Sequence, residues 1–505
     1  MSAVGGMNVV IAGLGPMGRG IARVFDRAGA RVVVCDVSPE ATAAGLDLLR
    51  REAEADGDTV AVEAGTLADA VPGADLFLEA VVENMAVKEA LLGEVRELGR
   101  DDLIVASNTS SLSVGEMGKA FGDPSRVIGM HFFNPPTKMR LVEVIKAPGT
   151  SDKVHERVLE IVRELGKTPI TCADSPNFIV NRICRPLYYE AQLLVTQGVE
   201  PGVVDAVARG ALGHRMGPLE LLDFTGLHTH LASSETALRE FGDPRYRPIP
   251  LVRRLVRNGM TGRAAGRGFY DHAAEPPRDA RARVVRIPGD APEGTRLRVT
   301  GPHADRLRAH PGVAPHLAED APVVVFSCHR APTADDAARV RELSARALVV
   351  VDGSDAAWRD LLPDGAGWVR LHPRQDEIFA EVVADEVAGI AVPDGVDTLL
   401  DVLRAPSVRV LALPGLVADR LADCLANEAY AVVEEGTAAP DDVDVALRLA
   451  MNHPAGPFEY VRRVGADVVA DRLRSLLAEM GDPRYRPTQL MRREVGALAR
   501  RAARA

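Results

Sequence analysis

At 505 residues, with 47% apolar and 26% charged residues, the chain has an ordinary globular composition and is too long for one hydrophobic core. Its formal net charge of -11 argues against a nucleic-acid or anionic-membrane partner, and neither a membrane-length apolar run nor a charged-then-apolar N-terminal signal is present. The five cysteines (Cys35, Cys172, Cys184, Cys328, Cys424) have no paired spacing, so neither a disulfide framework nor a zinc site is expected, and the expected compartment is the reducing cytoplasm.

In chain order, residues 7–12 (MNVVIA) read as a strand, GLGPMGRG follows at 13–20, IARVFDRAG reads as a helix closed by glycine, and ARVVVCD as a second strand. Gly13, Gly15 and Gly18 stand where a G-x-G-x-x-G turn needs them: for the tight turn, for close approach of the backbone to a pyrophosphate, and for close packing of helix on strand. Leu14, Pro16 and Met17 fill the same turn, whose exposed amides at the helix start hold phosphates. Asp36 ends the second strand, where a carboxylate accepts from ribose hydroxyls and repels a 2′-phosphate. No arginine follows it in DVSPE, so NAD is expected rather than NADP.

Further strands are predicted at 75–79, 103–106 and 127–132, separated by helical stretches. This alternation predicts a doubly wound parallel sheet with ligands at the carboxyl ends of its strands. Those ends carry EAVVENMAVK (79–88), SNTSSL (107–112) and HFFNPP (131–136), all polar where a buried strand would run into a plain turn. His131 ends one strand and Glu143 lies in the next, after a proline-set connection, so the two strands can lie side by side. A carboxylate on one imidazole nitrogen makes the other a better base. Spacing alone equally allows a core histidine beside an edge-strand carboxylate.

The motifs GLGPMGRG, EAVVENMAVK, SNTSSL, HFFNPP, LVEVI, FIVNR and GPLELLDFTGL occur in the order, and nearly the spacing, of the 3-hydroxyacyl-CoA dehydrogenase family, which residues 7–271 resemble. The resemblance implies His131 as catalytic base, Glu143 as its orienting partner, Ser110 on the substrate 3-oxygen and against the nicotinamide, and Asn181 on the thioester side. It further implies cofactor contacts from Glu83 and Lys88, the latter also near coenzyme A, and from Asn134 at the nicotinamide ribose. The chain departs from the family in three places. The connection between Asp36 and DLFLEA is short where a long helical hairpin usually helps hold coenzyme A, Asn177 stands for a usual glycine, and Ala264 for a common lysine.

The heptapeptide GDPRYRP occurs at 242–248 and again at 481–487. Around it, 177–201 aligns with 415–440 and 217–226 with 456–465, so the helical domain is duplicated. In the second copy Asn181 becomes Asp419 and Asp223 becomes Arg462, which leaves chemistry to the first. Between the copies, after a linker rich in Pro, Arg and Ala, strand-like runs alternate with helices. GPHADR (301–306) stands at the turn position with one glycine, and no His–Glu pair on adjacent strands is expected there.

The expected fold class is therefore α/β. A Rossmann-type NAD-binding domain (1–175) precedes an all-α domain (176–275), a degenerate Rossmann-like domain (290–410) and a second, non-catalytic α domain (411–505). Residues 415–495 are expected to dock on 177–270 as a pseudo-dimer within one chain, compatible with either a monomer or a homodimer. The middle domain reads as structural or as a lid, with a second ligand site as the competing view. The expected function is NAD-dependent oxidation of an L-3-hydroxyacyl-CoA with a short or polar acyl group, such as 3-hydroxybutyryl or 3-hydroxyadipyl. A dehydrogenase of free hydroxy acids, like the gulonate and carnitine relatives, and a non-catalytic NAD sensor are the alternatives.

Overall fold

The computed structural model describes residues 4–273, 285–290 and 292–502; the Pro, Arg and Ala-rich linker lies for the most part outside them. The chain forms two compact units, one of residues 1–182 with 435–452, the other of residues 183–434 with 453–505.

The first unit is built on eight strands: β1 (Asn8–Ala12), β2 (Arg31–Cys35), β3 (Glu63–Ala64), β4 (Leu76–Glu79), β5 (Ile104–Ser107), β6 (Val127–Phe132), β7 (Leu141–Lys146) and β8 (Thr168–Ala173). Their order is β3-β2-β1-β4-β5-β6-β7-β8, so the chain switches direction between β1 and β4, where a doubly wound sheet opens its ligand crevice. The inner strands are continuous apolar runs because helices cover both faces: Val9, Ile11, Leu76, Leu78, Ile128 and Met130 all lie in one core. All neighbours run parallel except β6 and β7, whose antiparallel register sets His131 directly opposite Glu143. Helix Pro440–Met451, from the second helical copy, belongs to this unit and packs on β7 and β8.

The second unit contains a seven-stranded sheet made of β9 (Val285–Arg286), β10 (Leu297–Thr300), β11 (Val323–Ser327), β12 (Leu348–Asp352), β13 (Gly367–Arg374), β14 (Glu377–Val383) and β15 (Ser407–Val410). Its run β10-β11-β12-β13-β14-β15 repeats β1-β4-β5-β6-β7-β8 of the first sheet, including the antiparallel step, here β13 on β14, and β9 adds a second antiparallel pairing at the β15 edge. Gly301 after β10 has φ 102°, and a Cβ there would meet the Ser327 backbone at 2.6 Å. Gly13 after β1 has φ 94° and would meet the Ala80 backbone at 2.6 Å, so the two turns correspond. Among the described residues no strand stands in the place of β2 or β3, and so no strand end there carries a second Asp36.

The two helical copies pack on one another inside this unit, and the repeated heptapeptide is part of the contact. Each repeat forms a single 3-10 turn after a left-handed glycine, Gly242 at φ 63° and Gly481 at φ 65°. Each then sends its tyrosine hydroxyl to a buried glutamate of the opposite copy: Tyr246 to Glu428, and Tyr485 to Glu190 at 2.9 Å. Glu190 and Glu428 occupy the same position of their respective repeats. His214 and His453, also equivalent, stack with ring centroids 3.9 Å apart and planes 6° from parallel. Such exchange of equivalent partners is what an isologous contact looks like when both halves are on one chain. Helix Pro201–Gly210 of the first copy packs on β15, as helix Pro440–Met451 of the second packs on β7 and β8.

Candidate active site

The glycine turn leads from β1 into helix Pro16–Arg27, whose first turn has proline at its start, no acidic residue and no side-chain cap, so its amides are free for an anion. The three glycines separate by role. A Cβ at Gly18 would fall 1.8 Å from the Gly13 carbonyl oxygen, so close packing demands glycine there, whereas Gly15 is exposed with nothing within 4 Å, leaving room for a ligand. Leu14 is buried and its amide donates to Asp36 Oδ2 at 2.7 Å, while Met17 is half-buried against the core. Asp36 thus ties the turn to the end of β2 and stays partly open to a ribose. These features fit a dinucleotide, and Asp36→Ala is expected to weaken NAD binding. Fluorescence titration with NAD and NADP checks this: a parent chain preferring NADP would contradict the reading.

Beside it, the ends of β4 and β5 form a polar cluster. Glu83 Oε1 accepts from the hydroxyls of Thr109 (2.9 Å), Ser110 (3.2 Å) and Ser111 (2.9 Å) and from the amides of Ser110 and Ser111. Burial alone would raise this carboxyl, yet the Lys88 ammonium and these hydrogen bonds hold it below its usual value. Lys88 is itself almost wholly buried, its Nζ 2.7 Å from Glu79 and 3.5 Å from Glu83. Its charge is committed to these two carboxylates. Glu79, which accepts also from Ser107, has no counterpart among the residues singled out in the sequence, although it opens the EAVVENMAVK motif.

His131 is buried, its Nδ1 2.7 Å from Glu143 Oε2. The other carboxylate oxygen, Oε1, accepts from the amides of Val180 (2.9 Å) and Ile179 (3.3 Å). Glu143 is therefore held wholly as an acceptor. A carboxylate so held keeps the imidazole proton on Nδ1 and leaves the Nε2 lone pair available. The rings of Phe133 and Phe178, with centroids 4.6 Å and 5.8 Å from the imidazole, wall it in. Asn108, at the end of β5, accepts from the Phe132 amide at 2.9 Å and fixes the strand that carries His131.

The turn that supplies the two amides has Asn177 at φ 63° and Phe178 at φ 52°. Asparagine tolerates the left-handed region better than other non-glycine residues, which is how it replaces the family's usual glycine. Asn181, in the first turn of helix Val180–Thr196, is half-buried. Asn134 is exposed and precedes Pro135 through a cis peptide bond. The geometry thus joins His131, Glu143 and the turn before Asn181 in one network, and Ser110, Glu83 and Lys88 in another.

In the second half, one expectation from sequence fails: a His–Glu pair on adjacent strands does exist. His372 Nε2 lies 2.8 Å from Glu381 Oε1, and Glu381 accepts from the amides of Val417 (2.8 Å) and Ala418 (3.2 Å), as Glu143 does from Ile179 and Val180. The residue directly opposite Glu381, in the place of His131, is however Arg370; His372 lies two residues further along the same face and reaches the carboxylate diagonally. Arg370 is spent on Asp419, the counterpart of Asn181, with its Nε 2.7 Å from Oδ2. Asp419 also meets Arg472 at 2.8 Å and Ser354 at 2.7 Å, and Arg472 meets Asp423 at 2.7 Å. A guanidinium cannot serve as a base near neutral pH. Side chains fill the space where the first half has its base.

Family models match the chain as the NAD-binding domain of 3-hydroxyacyl-CoA dehydrogenase over residues 8–175 and as the C-terminal domain of 3-hydroxyacyl-CoA dehydrogenase twice, over 178–272 and 415–503. A 3-hydroxyadipyl-CoA dehydrogenase of Escherichia coli is 30% identical over 96% of this chain and 96% of its own length. A probable 3-hydroxybutyryl-CoA dehydrogenase of Bacillus subtilis is 39% identical, covering 52% of this chain and 96% of its own. Among solved structures, 3-hydroxybutyryl-CoA dehydrogenase from Escherichia coli superposes with a TM-score of 0.77 at 26% identity, covering 97% of this chain and 98% of that one.

Proposed function

The chain belongs to the 3-hydroxyacyl-CoA dehydrogenase family, and from that premise we propose that it oxidises the C3 hydroxyl of an L-3-hydroxyacyl-CoA to the 3-ketoacyl-CoA in its first half. It is an NAD-dependent oxidoreductase whose substrate class is an acyl-CoA thioester. The observation that carries the placement of the chemistry is the 2.7 Å contact of His131 with Glu143, on facing strands.

His131 Nε2 takes the hydroxyl proton, and Glu143 steadies the imidazolium that forms on the Nδ1 side. NAD, when bound, supplies the acceptor for the C3 hydride. Ser110, held by Glu83, orients the 3-oxygen, and Asn181 holds the thioester side; both act by fixing distance and direction. Glu83 and Lys88 shape this wall of the site, Asn134 lies toward the nicotinamide ribose, and Gly13–Gly18 with Asp36 hold the pyrophosphate and adenosine ribose. The second half performs no oxidation, since Arg370 occupies the base position and no strand equivalent to β2 is present among the described residues.

For the acyl group we propose a short or polar chain, in keeping with the names of the Escherichia coli and Bacillus subtilis relatives. No described helix is long and apolar enough to cross a membrane, and we place the reaction in the cytoplasm. NADH formation from 3-hydroxybutyryl-CoA, 3-hydroxyadipyl-CoA, longer thioesters and the corresponding free acids tests the reading. Turnover of the short or polar thioesters alone is expected; turnover of free acids in preference to thioesters would replace the reading with that of a hydroxy-acid dehydrogenase.

A further inference from the structure

Segment 435–452 of the second helical copy belongs to the compact unit of the first sheet, and its first residues bond Arg182 and the end of β8. Arg182, the residue after Asn181, is wholly buried, and its guanidinium grips Glu435 with both terminal nitrogens: Nη1 lies 2.8 Å from Oε2 and Nη2 2.9 Å from Oε1. This bidentate, charge-assisted geometry is the strong form of such a pair. Two residues on, the Thr437 carbonyl accepts from the Ala173 amide at the end of β8. Helix Pro440–Met451 then anchors the segment on β7, which carries Glu143, and on β8.

Arg182 closes the turn whose amides hold Glu143. That turn contains the two left-handed residues Asn177 and Phe178, a conformation L side chains rarely adopt. Ser175 O accepts from the Phe178 amide at one end, and Asn177 O from the Arg182 amide at the other. The Arg182 guanidinium also comes within 3.5 Å of Ser175 Oγ, bringing the two ends together. A turn held in this shape points the Ile179 and Val180 amides at Glu143 Oε1.

The duplication repeats the device. Arg420, at the position of Arg182, donates to Gln197 Oε1 at 2.8 Å, and Gln197 stands where Glu435 stands, just after the long first helix of its copy. Each copy's arginine therefore grips the same position of the other copy, with a carboxylate on the side that has His131 and a neutral amide on the side that has Arg370.

We propose that Glu435 is a positioning residue for the oxidation: acting through Arg182, it fixes the turn that orients Glu143 and, through Glu143, His131. The second helical copy thus contributes to catalysis without touching substrate. The proposal rests on the dehydrogenase reading above.

The test is steady-state kinetics of the intact chain and its Glu435→Ala and Glu435→Gln variants, with NAD affinity and thermal midpoint measured alongside. Glu435→Ala is expected to lower kcat on the order of 10-fold while NAD affinity and midpoint stay near the parent's. The rise of kcat/KM with pH should move as well, because the orientation of the base changes. Glu435→Gln is expected to restore most of the activity, since an amide oxygen still accepts from the arginine, as Gln197 does from Arg420. If Glu435→Ala does not fold, Glu435→Asp, which keeps the charge and shortens the reach, decides instead: reduced kcat supports the proposal and unchanged kcat overturns it. A silent alanine variant, a glutamine variant no better than alanine, or losses shared equally by NAD affinity and midpoint would each overturn it. An active parent with a silent Glu435→Ala variant defeats this proposal alone, whereas a parent inactive on every thioester defeats the dehydrogenase reading and this proposal with it.

Discussion

Replacing His131 with glutamine is expected to lower kcat by roughly 10²–10⁴-fold, the usual loss when a general base is removed, while NAD affinity stays within a few-fold of the parent's. The reason lies in the contacts. The imidazole belongs to β6 and bonds Glu143 of β7, whereas the phosphate-binding turn and Asp36 belong to β1 and β2. Glutamine keeps a polar head of similar size at the Glu143 carboxylate but offers no basic nitrogen to a substrate hydroxyl. Glu143→Gln should cost less, because the imidazole would survive with its tautomer no longer fixed. Rapid-mixing measurement of NADH formation separates these effects from product release; a His131→Gln variant within a few-fold of the parent would remove His131 from the mechanism.

The second large effect concerns stability. Arg420 and Glu190 are both fully buried, Nε to Oε2 at 2.6 Å, and the Tyr485 hydroxyl of the repeated heptapeptide accepts from Arg420 Nη2 at 3.1 Å and donates to Glu190 at 2.9 Å. Arg484 of the same heptapeptide lies 3.6 Å from Glu190. Removing the arginine alone, as Arg420→Met, takes from the buried Glu190 carboxylate its closest cation and leaves it the Tyr485 hydroxyl and the more distant Arg484, at an expected cost of about 3 kcal/mol. The double variant Arg420→Met with Glu190→Leu removes both of these charges and should recover part of that loss, because Arg484 keeps Asp482 at 3.2 Å while the Tyr485 hydroxyl loses both of its partners. Denaturant unfolding of the intact chain checks both. A single variant as stable as the parent would mean that the copies hold together without this pair.

Much of the first unit was legible because its signals are local. Gly13, Gly15 and Gly18 each answer a steric demand of one short turn, and the alternation of apolar runs with amphipathic stretches specifies the parallel sheet. His131 and Glu143 are close in sequence, and the proline-set connection between them dictates an antiparallel return, so their facing positions follow from period-two geometry. The backbone donors Ile179 and Val180 leave no side-chain signature, and the burial of Lys88 between Glu79 and Glu83 depends on how a helix packs rather than on which residues it contains. The Arg182–Glu435 pair spans 253 positions and becomes visible only once the duplicated helices are placed. In the second half, His372 reaches Glu381 from a diagonal position that a search for directly facing residues passes over.

On the proposed reading, one half of the chain holds the cofactor and does the chemistry, while the other has Arg370 where the base would stand and, among the described residues, no strand in the place of β2. Calorimetric titration of the intact chain with NAD counts the sites. One NAD bound per chain is the predicted stoichiometry, with that binding strongly weakened in the Asp36→Ala variant. Two NAD per chain, or one that is unaffected by Asp36→Ala, would contradict it.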